Sequence, residues 1–82
     1  QSFEIGNTVN VGFLTGLVVL KKIHTEQDAA PDAFILKKKE SFYVFVPHSG
    51  LQKLEKSQMG RNGYVATLNS GFEIFLTDSE LN

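Results

Sequence analysis

Chemistry at neutral pH would most readily start from the two histidines of this chain. His24 opens the run His24-Thr25-Glu26-Gln27-Asp28, an imidazole and two carboxylates at two-residue spacing. In an extended segment that spacing points all three groups one way, toward a hard or borderline metal, although such sites recruit a further ligand from elsewhere. No periodicity covers His24 to Asp32, and Pro31 pushes Ala30 away from helical geometry, so the segment reads as a solvated surface loop. His48 adjoins Ser49, but neighbouring residues of a strand point to opposite faces, and no carboxylate is near in sequence to orient the pair. It reads as a turn residue. Gly12-Phe13-Leu14-Thr15-Gly16 has neither P-loop nor dinucleotide-fingerprint spacing, and no lysine follows Gly16. It reads as a β-bulge or tight loop. The chain has no cysteine, which removes disulfides, thiolate metal sites and thiol nucleophiles together. The expectation is a protein that is not an enzyme and uses neither metal nor cofactor.

The remaining polar and aromatic residues point to binding. Lys21, Lys22, Lys37, Lys38, Lys39 and Arg61 carry most of the positive charge. If the strands ending at Lys22 and Lys38 finish at the same end of the fold, these cations form one patch for phosphates or an acidic partner. Lysines at strand ends and hairpin tips also serve solubility and edge protection, and the formal net charge is only −1. Among the aromatics, strand alternation puts Phe42, Val44 and Val46 on one face and Tyr43 and Phe45 on the other. It likewise separates Phe72, Ile74 and Leu76 from Glu73 and Phe75. Tyr43, Phe45 and Phe75 then lie on an outer face, either as a partner surface or as packing where a curved sheet turns a corner. Tyr43 and Tyr64 are candidates to stack bases or grip an extended peptide.

The elements that must position these residues are short strands. Gly63 to Leu68 and Phe72 to Leu76 flank Asn69-Ser70-Gly71 and read as a hairpin. Ala33 to Lys38 and Phe42 to Val46 form a second around Lys39-Glu40-Ser41, and Pro47 stops the latter strand. Upstream, Thr8 to Val11 and Leu17 to Ile23 are strands, the second buried from Leu17 to Leu20 and emerging at Lys21-Lys22. Leu51 and Leu54 are three apart, which predicts one 3₁₀ or α turn within Leu51 to Lys56. Gly60-Arg61-Asn62-Gly63 reads as a turn, with Asn62-Gly63 able to adopt positive φ, and Asp78-Ser79-Glu80-Leu81 as a helix start without room to continue. The expected architecture is all-β: a small, partly open barrel of five to six short antiparallel strands with one 3₁₀ turn.

Residues 1–82 are expected to be one domain, with a thin core that buries roughly 60 % of the unfolded surface. Seven phenylalanines and no tryptophan fill that core. No run of 18 apolar residues exists, so no membrane span is expected. A secreted domain this small commonly carries disulfides, so a cytoplasmic location is favoured. The chain begins with Gln1 rather than Met, which is read as a segment removed or a piece of something longer.

The order of strand, long loop, three strands, short turn and closing strand resembles an SH3-like barrel. Phe3-Glu4-Ile5-Gly6-Asn7-Thr8-Val9, Gly16-Leu17-Val18-Val19, and Val46-Pro47 before Gly50-Leu51-Gln52-Lys53-Leu54 are similar to the CarD-like RNA-polymerase-interacting domain. The Tyr-Pro and His-Gly pair of that family is replaced by Gly12 to Thr15. Gly63-Tyr64-Val65 with Gly71 and Phe72 to Leu76 also looks like a KOW or Tudor-type strand pair. The two-faced apolar strands and the absence of catalytic groups point to a non-catalytic adaptor or regulatory domain that binds a protein, either through the His24 to Asp32 loop (Asp28, Asp32) with Tyr43, Phe45, Tyr64 and Phe75, or through an exposed sheet edge by strand addition. The alternative is a KOW- or Tudor-type nucleic-acid binder using the lysine patch. Self-association is a further way of covering exposed aromatics.

Overall fold

The computed structural model describes residues 2–24, 31, 33–47, 49–57, 62–67 and 73–81. They form eight strands and one four-residue helix. Strands β1 (Thr8–Val11), β2 (Leu14–Ile23), β3 (Ala33–Lys38), β4 (Ser41–Val46) and β5 (Gly50–Lys53) make a five-stranded antiparallel sheet in sequential order. β6 (Glu55–Lys56), β7 (Gly63–Thr67) and β8 (Glu73–Thr77) make a three-stranded sheet, followed by α1 (Asp78–Leu81). Within each sheet every strand pairs with its neighbours in sequence, and the break falls between β5 and β6, in a curled, barrel-like all-β fold.

The register of β2 explains the curl. Gly12 and Phe13 make a two-residue turn, so β2 begins at Leu14 rather than at the expected Leu17. The expected bulge sits three residues on. Val11 pairs with Leu14 but Val9 with Leu17, and Gly16, at φ +73°, donates its N–H to Asn10 Oδ1 at 3.0 Å. A left-handed glycine is the usual way to fit the extra residue of a bulge. A second bulge follows, where Val19 pairs with Leu36 but Lys21 with Ile35. One inserted residue inverts which side chains face which side. Leu17 and Val19 accordingly belong to one apolar cluster, whereas Leu20 and Ile23 pack against another.

Those clusters occupy opposite faces of β3 and β4. The first joins Ala33, Ile35, Phe42, Val44, Leu54, Ala66, Ile74, Leu76 and Leu81. The second joins Val9, Leu17, Val19 and Leu36, with Phe3, Phe34, Tyr43, Phe45 and Leu51 packed against it. Alternation delivers Ile35 to one and Phe34 and Leu36 to the other.

The predicted helical turn at Leu51 to Lys56 is not formed. The segment is extended, with β5 paired to β4 and β6 to β7. Leu54 bridges the sheets: its side chain is buried, and its N–H donates to the Phe42 carbonyl at 2.9 Å. A three-residue spacing puts two leucines on one side of a helix but on opposite sides of a strand. Leu51 duly packs on the second cluster and Leu54 in the first. Asn62-Gly63 differs in the same way. Gly63 is a buried strand residue outside the positive-φ region, and a side chain there would collide with the Leu76 carbonyl oxygen and the Phe75 ring. Both predicted hairpins are present, one turning on Lys39-Glu40 between Lys38 and Ser41, the other pairing Gly63–Thr67 with Glu73–Thr77.

The helix begins where a capping box predicts one. Thr77 Oγ1 accepts from the Glu80 N–H at 3.3 Å, and Glu80 Oε1 accepts from the Thr77 N–H at 3.1 Å. Leu81 is thereby placed in the first cluster, and Lys21 reaches Glu80 at 3.4 Å across from β2.

Candidate functional site

The aromatics expected on an outer face are not bare. Tyr43 and Phe45 are half-buried against the second cluster. Phe3 closes over them from the N-terminal arm, its ring 5.2 Å from Phe45 at 12° and 5.0 Å from Phe34 at 40°. Glu4 ties the arm down through Lys22 Nζ at 2.6 Å. The outer face of β3 and β4 is thus a packed layer, as expected of a strongly curved sheet whose two sides both bury apolar surface. Phe75 is half-buried in the other sheet, with its ring over Gly63. It belongs to neither cluster, so it does not extend a surface with Phe45.

The lysines do not form one patch. In the antiparallel β2–β3 ladder Lys21 lies opposite Ile35 and Lys22 opposite Phe34, whereas Lys37 lies opposite Val18. From Phe34 to Lys38 is about 13 Å of strand at ~3.3 Å per residue. Lys21 and Lys22 sit at one end and Lys37, Lys38 and Lys39 at the other, with Lys37 and Lys38 on opposite faces of β3. Lys21 and Lys22 also face carboxylates, those of Glu80 and Glu4. Arg61, Asp28, Asp32 and His48 lie outside the described residues, as do Glu26 and Phe72. His24 is exposed at the end of β2, and among the described residues no three His, Cys, Asp or Glu side chains converge on a metal position.

Two arrangements were missed in the sequence. The first is apolar exposure on the β1–β2 arm. Phe13 is fully exposed at the hairpin tip, Ile5 is 65% exposed and Val18 36%. Gly12, at φ +59°, makes that tip. A glycine directly after Val11 was the available signal, since glycine commonly opens a two-residue hairpin turn. β1 is also an end strand of its sheet, with one edge unpaired among the described residues.

The second is an open concavity of about 440 Å³ lined by Lys37, Glu40, Phe42 and Tyr64. It spans the join between β4 and β7. The Phe42 and Tyr64 ring centroids are 5.2 Å apart, tilted at 60°. Lys37 Nζ stands 5.3 Å from the Phe42 ring centre, and Lys56 Nζ 6.0 Å from that of Tyr64. Both distances are within the range of cation–π attraction. Lys56 came into view only with β6, which brings it opposite Tyr64.

One carboxyl group is electrostatically distinct. Glu80 is held below its ordinary pKa by the Thr77 backbone N–H first, then by the Thr77 hydroxyl and Lys21. Hydrogen bonds to a carboxylate favour its charged form. This is helix capping, and Glu80 is not among the residues that line the cleft.

The fold and these surfaces define a small barrel-like all-β domain with two apolar clusters, an exposed apolar arm and a lysine–aromatic cleft. Comparison with protein-family models, curated proteins and solved structures finds no match to the chain.

Proposed function

We propose that this chain is a non-catalytic protein-interaction domain of adaptor or regulatory type. The observation that carries the reading is Phe13, a full aromatic side chain held in water at the tip of the β1–β2 hairpin. Val18 and Ile5 extend the apolar arm, and a partner strand added to the β1 edge would cover its backbone while seating these side chains. The contact surface therefore moves from Tyr43, Phe45 and Phe75, which support packing, to the first hairpin. The SH3-like affinity, CarD-like or KOW-like, belongs to the same proposal and rests on the residues quoted above. Nucleic-acid binding by one patch joining Lys21 to Lys39 loses support from the β2–β3 register.

The test is a photo-crosslinking residue at position 13 in cell extract, with captured proteins identified by mass spectrometry. The reading expects a discrete partner that the pair Phe13→Ser and Val18→Thr releases while thermal unfolding is unchanged. A partner retained by that pair would overturn the assignment.

A further inference from the structure

The cleft between β4 and β7 supports a second activity, independent of the hairpin. We propose that it binds single-stranded nucleic acid, with Tyr64 as a stacking platform and Lys37 and Lys56 as phosphate contacts. Three features point to this chemistry. First, the two ammonium groups flank a tilted ring pair, one beside Phe42 and one beside Tyr64. That order of charge, ring, ring and charge matches phosphates on either side of a base. Second, neither lysine has a carboxylate partner among the described residues, in contrast to Lys21 and Lys22. Third, the concavity is open rather than enclosed. Small-molecule sites bury most of their ligand, whereas a polymer runs through an open groove, and base stacking on an aromatic is tolerant of sequence.

An acidic peptide is the competing anion. It would need a pocket for an anchoring side chain, but Phe42 is already buried in the first cluster, and the half-buried Tyr64 ring is what remains for a ligand. Glu40, the carboxylate lining the cleft among the described residues, would repel such a peptide. Toward a base it would accept a hydrogen bond from a ring N–H, such as the N3–H of thymine or uracil, or from an exocyclic amine. In the free protein the lysines stand over the rings. A base arriving on Tyr64 displaces the Lys56 ammonium, which is then free to meet the adjacent phosphate.

The probe is a fluorescein-labelled oligo(dT) of eight nucleotides, or the matching oligo(U), titrated by anisotropy between 20 and 200 mM NaCl. Two phosphate contacts on a single strand give a slope of log K against log salt of about −1.4, a fall of about 25-fold over that range. Lys37→Gln with Lys56→Gln should remove most of the affinity and flatten the slope. Lys21→Gln, at the other end of the ladder, should leave both unchanged. Tyr64→Ala should weaken binding by about 10-fold and Tyr64→Phe by little, since a stacked base contributes about 1–3 kcal/mol. Tyr64 also packs against the core, so a fold-independent reading comes from the wild type. Its ring signals in ¹³C-tyrosine-labelled protein should move upfield on adding oligonucleotide, while those of Tyr43 stay put. Absence of binding at 20 mM NaCl overturns the proposal. So does binding indifferent to the two lysines, or an octaglutamate peptide that competes as well as the oligonucleotide.

Discussion

Replacing Gly63 by alanine tests the packing of the second sheet at one atom. Gly63 sits opposite Thr77, and its backbone is outside the positive-φ region. Alanine is therefore acceptable on conformational grounds, and loss of unfolded-state freedom alone would stabilise the protein by about 0.4–1 kcal/mol. The space is not there. A Cβ would lie 2.7 and 2.9 Å from two atoms of the Phe75 ring, and it would also press on the Leu76 carbonyl oxygen. Phe75 is half-buried, and a shift of its ring would relieve part of the clash. The carbonyl is backbone within the β7–β8 ladder and can move only by distorting it. Inserting a methyl without room typically costs about 1–3 kcal/mol. Subtracting the entropic gain leaves a net destabilisation of about 1–2 kcal/mol, or a fall in Tm of roughly 4–16 °C at about 4–8 °C per kcal/mol. Urea denaturation of the wild type, Gly63→Ala, Phe75→Leu and the double variant would measure it. The double variant should recover the share due to the ring, giving a coupling energy above about 0.5 kcal/mol. A Gly63→Ala protein as stable as the wild type, or more so, would refute the reasoning. The Phe75 ring and the β7–β8 ladder would then have room for a methyl group at Gly63.

Lys39 is the one described non-glycine residue at positive φ, at +56°, so Lys39→Gly should stabilise the β3–β4 hairpin by about 0.5–1 kcal/mol; a lower urea midpoint would contradict this. Glu80 should make stability depend on pH. Its folded pKa is depressed, so its contribution is complete above the ordinary value of 4.5 and is lost as pH falls through the lower folded value. Thermal scans of wild type and Glu80→Gln should diverge above pH 4.5 and converge in acid, and a difference that persists unchanged in acid would rule out the linkage. Thr77→Ala removes the other half of the box and should cost about 1 kcal/mol at neutral pH.

The legible part of the fold was its local part. Strand residues in β1, β3, β4, β7 and β8 carry their own periodicity, and tight turns need few residues, so both hairpins and the all-β class followed from neighbours in sequence. The start of helix α1 at Asp78 was legible, whereas the capping contacts between Thr77 and Glu80 that hold its single turn came only with the structure. The misread segment, Leu51 to Lys56, has a spacing compatible with two geometries. Only the presence of β4 on one side and β7 on the other selects the extended one.

The candidate surfaces divide along the same line. Composition determined which side chains were present: lysines without cysteine, and phenylalanines in excess of any one core face. It could not determine their company. Whether Lys22 and Lys38 share an end depends on the direction in which β3 runs back along β2. Whether Tyr43 and Phe45 meet water depends on a bulge at Val19 to Lys21 and on Phe3 folding over from the N-terminal arm. The lysine–aromatic cleft exists only because Leu54 carries the chain from one sheet to the next, bringing β6 and β7 beside Phe42. The chain by itself determined the all-β class, the two hairpins and the absence of cysteine. Tertiary structure decided which faces are buried and which charges meet, because a one-residue shift in register inverts a strand and only pairing sets the register.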